Sequence, residues 1–186
     1  MNGVKIIALV GMPGAGKGLC VEYLEKKGWP SVYFGGITVD EVKARDLEVN
    51  EVNERMVREA LRASEGPAVM AKRMIPKIEE LATAGNEVIV ADGLYSWSEY
   101  KLLKEKYGDN ILVIAVAAKR KLRHARLASR PVRPLNEEQA TAREYAEIEN
   151  IEKGGPIANA DYTVLNDNAP EETYAQLDII IQKSLV

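Results

Sequence analysis

The stretch VKIIALVGMPGAGKGLCVEYLEKKG, residues 4–28, places a glycine-rich loop between an apolar run and an amphipathic one, and it limits the fold more than any other segment. The part from Gly11 to Lys17 fits the pattern G-x-x-x-x-G-K, with a strand-like run behind it and a helix-like run ahead of it. Glycines let successive backbone N–H groups turn inward without side-chain clash, and the following helix adds the positive end of its dipole at the same point. The resulting concavity fits a polyphosphate. Lys17 sets a flexible ammonium against the β and γ oxygens of a nucleoside triphosphate, where charge must be balanced as the phosphoryl group moves. The expected nucleotide-binding residues are therefore Gly11, Met12, Pro13, Gly14, Ala15, Gly16, Lys17, Gly18 and Leu19.

Further apolar runs of strand length follow, SVYF, EVIVA, NILVIAVA and DYTVL, with helical stretches between them. That alternation predicts βαβ units and a parallel five-stranded sheet with helices on both faces, an α/β three-layer architecture. The spacing between SVYF and EVIVA is too long for one crossover helix. Residues 37–63 and 67–84 read as two or three helices, a helical insertion within 35–85, with Pro67 in a first helical turn and Pro76 kinking a helix. The run SRPVRPLNEE, residues 129–138, has two prolines and no periodicity. It reads as a mobile loop, a short lid over 130–136, between a helix at 119–129 and a polar helix starting near Asn136.

At 186 residues the chain suits a single domain, and a formal charge of −3 argues against a nucleic-acid partner, since phosphate backbones select a basic excess. Cys20 stands alone, which excludes an intrachain disulfide and a multi-cysteine zinc site, and it reads as core. The opening apolar run is too short to span a bilayer and has no cleavage-site pattern, so a cytoplasmic protein without membrane contact is expected.

Two further groups carry chemistry. Asp92 follows a buried-looking strand, where a parallel sheet presents its ligand-binding edge. It either orients Mg²⁺ waters and accepts a proton, or serves a turn before the helix that begins near Ser96. Arg123, Arg126 and Arg130 fall at helical spacings of three and four, so their guanidinium groups are expected on one face, with Arg133 in the lid beyond. Like charges crowd there without acidic neighbours, which suits a triphosphate closing beneath the lid. His124 reads as a surface residue.

The loop GMPGAGKG is similar to the G-x-P-G-x-G-K-G of adenylate kinases and related nucleoside monophosphate kinases, in which glycine also follows the lysine and the metal is held largely through water. Those kinases carry Asp-Gly where Asp92 and Gly93 stand, and commonly a threonine where this chain has Leu19. R-L-x-x-R before a lid resembles both adenylate kinases and dephospho-coenzyme A kinases. The resemblance implies that Arg126 covers the adenine and Arg130 touches the transferred phosphate. The tail ANADYTVLNDNAPEETYAQLDIIIQ resembles the closing segment of dephospho-coenzyme A kinases, which implies an adenine contact for Asn166 or Asn168. A turn capping the helix after Pro170 explains both equally well. The acceptor side departs from both families: Val39 and Ser96 stand where adenylate kinases hold AMP with arginines, and Gly35 and Gly36 where dephospho-coenzyme A kinases carry an aspartate.

Over nearly its full length the chain most resembles the adenylate-kinase-related P-loop proteins of archaea, which share the loop, the strand ending in Asp-Gly, the E-G-P-x-x-x-A-K-R run from Glu65 to Arg73, the R-L-x-x-R helix and the Ala-Asp-Tyr tail. The expectation is a P-loop kinase fold using ATP and Mg²⁺, transferring a γ-phosphoryl group to a small-molecule acceptor as a monomer or homodimer. The catalytic set is then Lys17, Asp92, Arg126, Arg130 and Arg133, with Asp92 on the metal. A nucleotide-dependent switch with little turnover is the alternative function, and dephospho-coenzyme A the alternative acceptor.

Overall fold

The computed structural model describes residues 3–185. The elements run β1 (Lys5–Val10), α1 (Lys17–Glu25), β2 (Ser31–Tyr33), α2 (Phe34–Ala44), α3 (Glu51–Glu65), α4 (Val69–Thr83), β3 (Val88–Asp92) and α5 (Trp97–Tyr107). A single 3-10 turn leads into β4 (Ile111–Ala117), and α6 (Arg120–Ala128), α7 (Glu137–Ile151), α8 (Gly154–Ala158), β5 (Tyr162–Leu165) and α9 (Pro170–Ser184) complete the order.

All five strands pair in parallel in the order β2-β3-β1-β4-β5. Each must reach the next through a helical crossover, so both faces are covered and the central strand is apolar on both sides. Alternation along β1 sorts the core. Ile6, Ala8 and Val10 pack with Phe34, Val57, Leu61, Met74 and Leu103 from α2 to α5. Ile7 and Leu9 point the other way, onto Cys20 and Leu24 of α1 and Leu177 and Ile180 of α9. Burying one such leucine or isoleucine contributes about 1.5–3 kcal/mol. Among the described residues no helix is long and apolar enough to cross a membrane.

The segment between β2 and β3 holds three helices. α2 starts at Phe34, earlier than the sequence suggests, because the apolar SVYF run divides: Val32 pairs in the sheet, while Phe34, fully buried, already packs as the first residue of the helix. Pro67 precedes α4 instead of lying in its first turn, following Gly66 with φ 93°. Pro76 sits inside α4, which continues through it to Thr83, although its ring withholds the N–H that would bond the carbonyl four residues back. The register sets Leu9, Asp92 and Tyr33 level across neighbouring strands, so the loop after β1 and the carboxylate ending β3 meet at the same sheet edge.

Candidate nucleotide site

The chain leaves β1 at Val10, turns with Ala15 N–H donating to the Met12 carbonyl at 3.1 Å, and enters α1 at Lys17. Gly16 precedes α1 in the left-handed region (φ 96°), and no side chain caps this helix start, so its first amides offer their N–H groups and the positive dipole end to the loop's concavity. Close approach accounts for two glycines. A β-carbon on Gly14 would stand 2.5 Å from the Arg123 carbonyl oxygen, and one on Gly16 2.0 Å from Asn166 Nδ2. Gly18 meets open space, which leaves the mouth of the loop clear. Leu19 beside it is half-buried.

Lys17 Nζ donates to the Gly11 carbonyl at 2.8 Å and lies 3.5 Å from that of Met12. Burial, reinforced by the neighbouring Lys153 ammonium, lowers its pKa to about 7, against the pull of Glu147 and Asp92. Folded back on its own loop, this group has its hydrogen bonds to exchange for those of an anion. Asp92 makes no side-chain hydrogen bond among the described residues. Burial raises its carboxyl above the usual range, with Lys17 opposing.

The expected row of three phosphate-facing arginines is corrected at its first member. Arg123 is buried, donates from Nη1 to the Pro13 carbonyl at 3.1 Å and from Nε to the Ala118 carbonyl at 3.2 Å, and pairs with Glu144 of α7. Glu144 also receives Arg120 Nε at 3.0 Å and lies 3.2 Å from His124 Nε2. One carboxylate thus supplies the acidic relief that α6 lacks in sequence, and His124 is enclosed instead of lying on the surface. Burial alone would raise the Glu144 carboxyl, but its bonds to Arg120, His124 and Arg123 hold it below the usual range. Arg123 supports the loop from behind.

Arg126, one turn on, keeps Nη1 buried with no hydrogen-bond partner, 3.9 Å from where a Gly16 β-carbon would stand. An orphaned guanidinium N–H beside an uncapped helix start fits a phosphate or the nucleotide above it. Arg130, exposed beyond the end of α6, makes no ion pair among the described residues. Arg133, with φ 54°, pairs with Glu54 of α3, which ties the 130–136 loop to the acceptor-side helices. Asn166 is buried, donating to the Ala15 carbonyl at 2.9 Å and accepting from Thr173 Oγ1 at 3.2 Å, so its side chain braces the loop. Asn168 bonds Glu172 at 2.9 Å near the start of α9.

Sequence reading missed the buried charges Glu99 and Lys153 and the part-buried Glu147. Ser96 caps α5 in a box with Glu99, whose carboxylate accepts from the amides of Tyr95 and Ser96. Lys153 is 1% exposed, pairs with Glu147 and lies 4.8 Å over the Tyr95 ring. Burial lowers the Lys153 pKa, and burial of Glu147 is outweighed by Lys153 and Arg143, which hold that carboxyl at about 2. No sequence signal marked Lys153, because its partners come from α7 and the loop after β3.

A parallel sheet of this order, with a glycine-rich loop and lysine after its central strand and an aspartate on the adjoining strand, defines a P-loop kinase fold. No family model matches the chain. Over 183 residues it is 33% identical to a UPF0200 protein of Thermococcus onnurineus (strain NA1), covering 97% of this chain and 98% of that one, and it belongs to the UPF0200 family. Among solved structures it is similar to TT1252 from Thermus thermophilus, with a TM-score of 0.69 and 20% identity over 98% of each chain. It is similar also to shikimate kinase from Acinetobacter baumannii in complex with shikimate, with a TM-score of 0.58 and 17% identity over 98% of this chain and 96% of that one. At these identities the likeness is one of fold.

Proposed function

We propose that the protein is an ATP-dependent phosphotransferase that passes the γ-phosphoryl group to a small acceptor, a nucleotide or nucleotide-like metabolite. The observation that carries this reading is the uncapped start of α1 behind the glycine loop, with Lys17 and the unpartnered Arg126 Nη1 beside it. Loop amides and Lys17 hold the β and γ phosphates, and Arg126 covers the donor. An acceptor hydroxyl oxygen attacks the γ-phosphorus as the bond to the β–γ bridging oxygen breaks, releasing ADP. The hydroxyl proton passes to Asp92, whose burial makes it a better base than an exposed carboxylate. Asp92 is the residue that would help hold a Mg²⁺, directly or through water, and that ion would supply charge neutralisation at the phosphates. Arg130, with Arg133 once its bond to Glu54 is released, closes over the transferred group and excludes water.

A second reading, a nucleotide switch, draws on the Arg133–Glu54 pair, which holds the lid loop on α3 instead of over the donor. ATP consumption separates the two, measured with AMP, CMP, UMP, dTMP, dephospho-coenzyme A or no acceptor. Stimulation by one acceptor is the expected result. Tight Mg-ATP binding with consumption indifferent to every acceptor would favour the switch.

A further inference from the structure

Charged side chains outside the loop after β1 come from several elements. Arg58 and Arg62 come from α3, Glu99 from α5, Arg143 and Glu147 from α7, and Lys153 from the turn before α8, with Arg130 and Arg133 from the lid loop. The charges that act on Arg62 are those of Glu99, Arg58 and Glu147, and those that act on Arg130 are Arg143, Arg133 and Tyr33. Arg58 and Arg133 both pair with Glu54, and Arg143 and Lys153 both pair with Glu147. Concentrated like charge destabilises a folded chain through self-repulsion, and a ligand of opposite sign removes that cost.

The centre of the set is Arg62. Its Nη2 stands 3.7 Å from Glu99 Oε1, beyond hydrogen-bond length, and both Arg62 Nε and Glu99 Oε1 are buried without a hydrogen-bond partner. Glu99 cannot turn to close the gap, because Oε2 is fixed by the Tyr95 and Ser96 amides at 3.0 and 3.2 Å. A buried pair so poorly joined returns less than its desolvation costs, so stability does not account for it. A planar guanidinium offers paired donors matched to phosphate oxygens, which a neighbouring ligand can engage.

We propose that the acceptor is a phosphomonoester whose dianion docks on Arg62, flanked by Arg58, Arg130 and Arg143. This deepens the phosphotransferase reading and rests on it. Lys153 stays with Glu147 and Tyr95 and adds field without contact, being almost wholly buried. The body of the acceptor then reaches toward Asp92, which ends β3 level with Tyr33.

The test is calorimetric titration of inorganic phosphate, AMP and ribose 5-phosphate, with ribose as the uncharged control, into protein whose donor loop is saturated with Mg-AMP-PNP. At least one phosphate-bearing probe should bind while ribose does not, and Arg62→Ala should weaken that probe about tenfold or more with Mg-AMP-PNP affinity unchanged. Glu99→Gln keeps an oxygen on the cap amides and frees Arg62 of its counter-charge, so it should tighten the same probe; this variant decides if Arg62→Ala fails to fold. Equal binding of ribose, no binding of any phosphate probe, undiminished binding in a folded Arg62→Ala, or binding not tightened in Glu99→Gln would overturn the proposal. Failure of Mg-AMP-PNP to bind defeats the phosphotransferase reading separately, and the same probe titrations in Lys17→Ala, where the loop is disabled, still decide the anion site.

Discussion

The depressed pKa of Lys17 makes nucleotide binding a proton-linked event. In the free protein the group titrates at about 7, lowered first by burial and then by Lys153. Triphosphate oxygens around the ammonium favour its charged form, so a protein that has lost this proton must regain it on binding. At pH 8 about nine in ten free molecules carry a neutral Lys17, and binding should take up about 0.9 proton per nucleotide. Mg-ATP affinity should be nearly flat below pH 6 and fall about fivefold between pH 7 and 8, a cost of about 1 kcal/mol. Without nucleotide the same shift acts on folding. Between about 7 and the ordinary 10.5 the unfolded chain holds this proton and the folded chain does not, so Lys17 contributes stability that rises with pH across that window. Calorimetric titration with Mg-ATP in buffers of different ionisation enthalpy reads proton uptake directly. Lys17→Arg, whose guanidinium does not titrate there, should abolish it. Zero uptake at pH 8, or affinity independent of pH from 6 to 9, would refute the assigned environment of Lys17.

Other consequences concern the loop's supports. Glu144→Ala leaves Arg123 buried beside Pro13 without its counter-charge and should cost about 3–5 kcal/mol, lowering Tm by about 6–20 °C; a loss below about 1 kcal/mol by denaturant titration would contradict the role given to this pair. Arg126→Ala should weaken Mg-ATP binding by about tenfold to a hundredfold while leaving the unfolding midpoint close to wild type, since Nη1 has no protein partner to lose. The Cys20 thiol is fully buried and pushed up to about 12, so iodoacetamide at pH 8 should label it only at the rate of unfolding; rapid stoichiometric labelling of folded protein would show the α1 packing to be wrong.

Local signals carried much of this architecture. A loop pattern between a continuous apolar run and an amphipathic one located β1 and α1, and Ser96 and Asn136 marked helix starts that their capping boxes realise. Arg123 shows where such reading ends. Its spacing from Arg126 is helical, yet a helical face says nothing of what packs on it, and Glu144, 21 residues on, removes Arg123 from the phosphate side. The brace that Asn166 gives the loop was hidden for the same reason, since its acceptor, Ala15, is 151 residues away. Lys153 and the Arg62–Glu99 pair resemble ordinary solvated charges in the sequence. Only the fold of α7 and α8 against the loop after β3 buries them together.

The most direct test of the central claim is Mg-ATP binding and turnover by Lys17→Ala, beside wild-type protein and with circular dichroism and the unfolding midpoint as checks on the fold. If the loop and Lys17 grip the β and γ phosphates, the variant stays folded, binds Mg-ATP far more weakly and turns none of it over. A folded variant with wild-type turnover would place the phosphoryl chemistry elsewhere or nowhere in this protein.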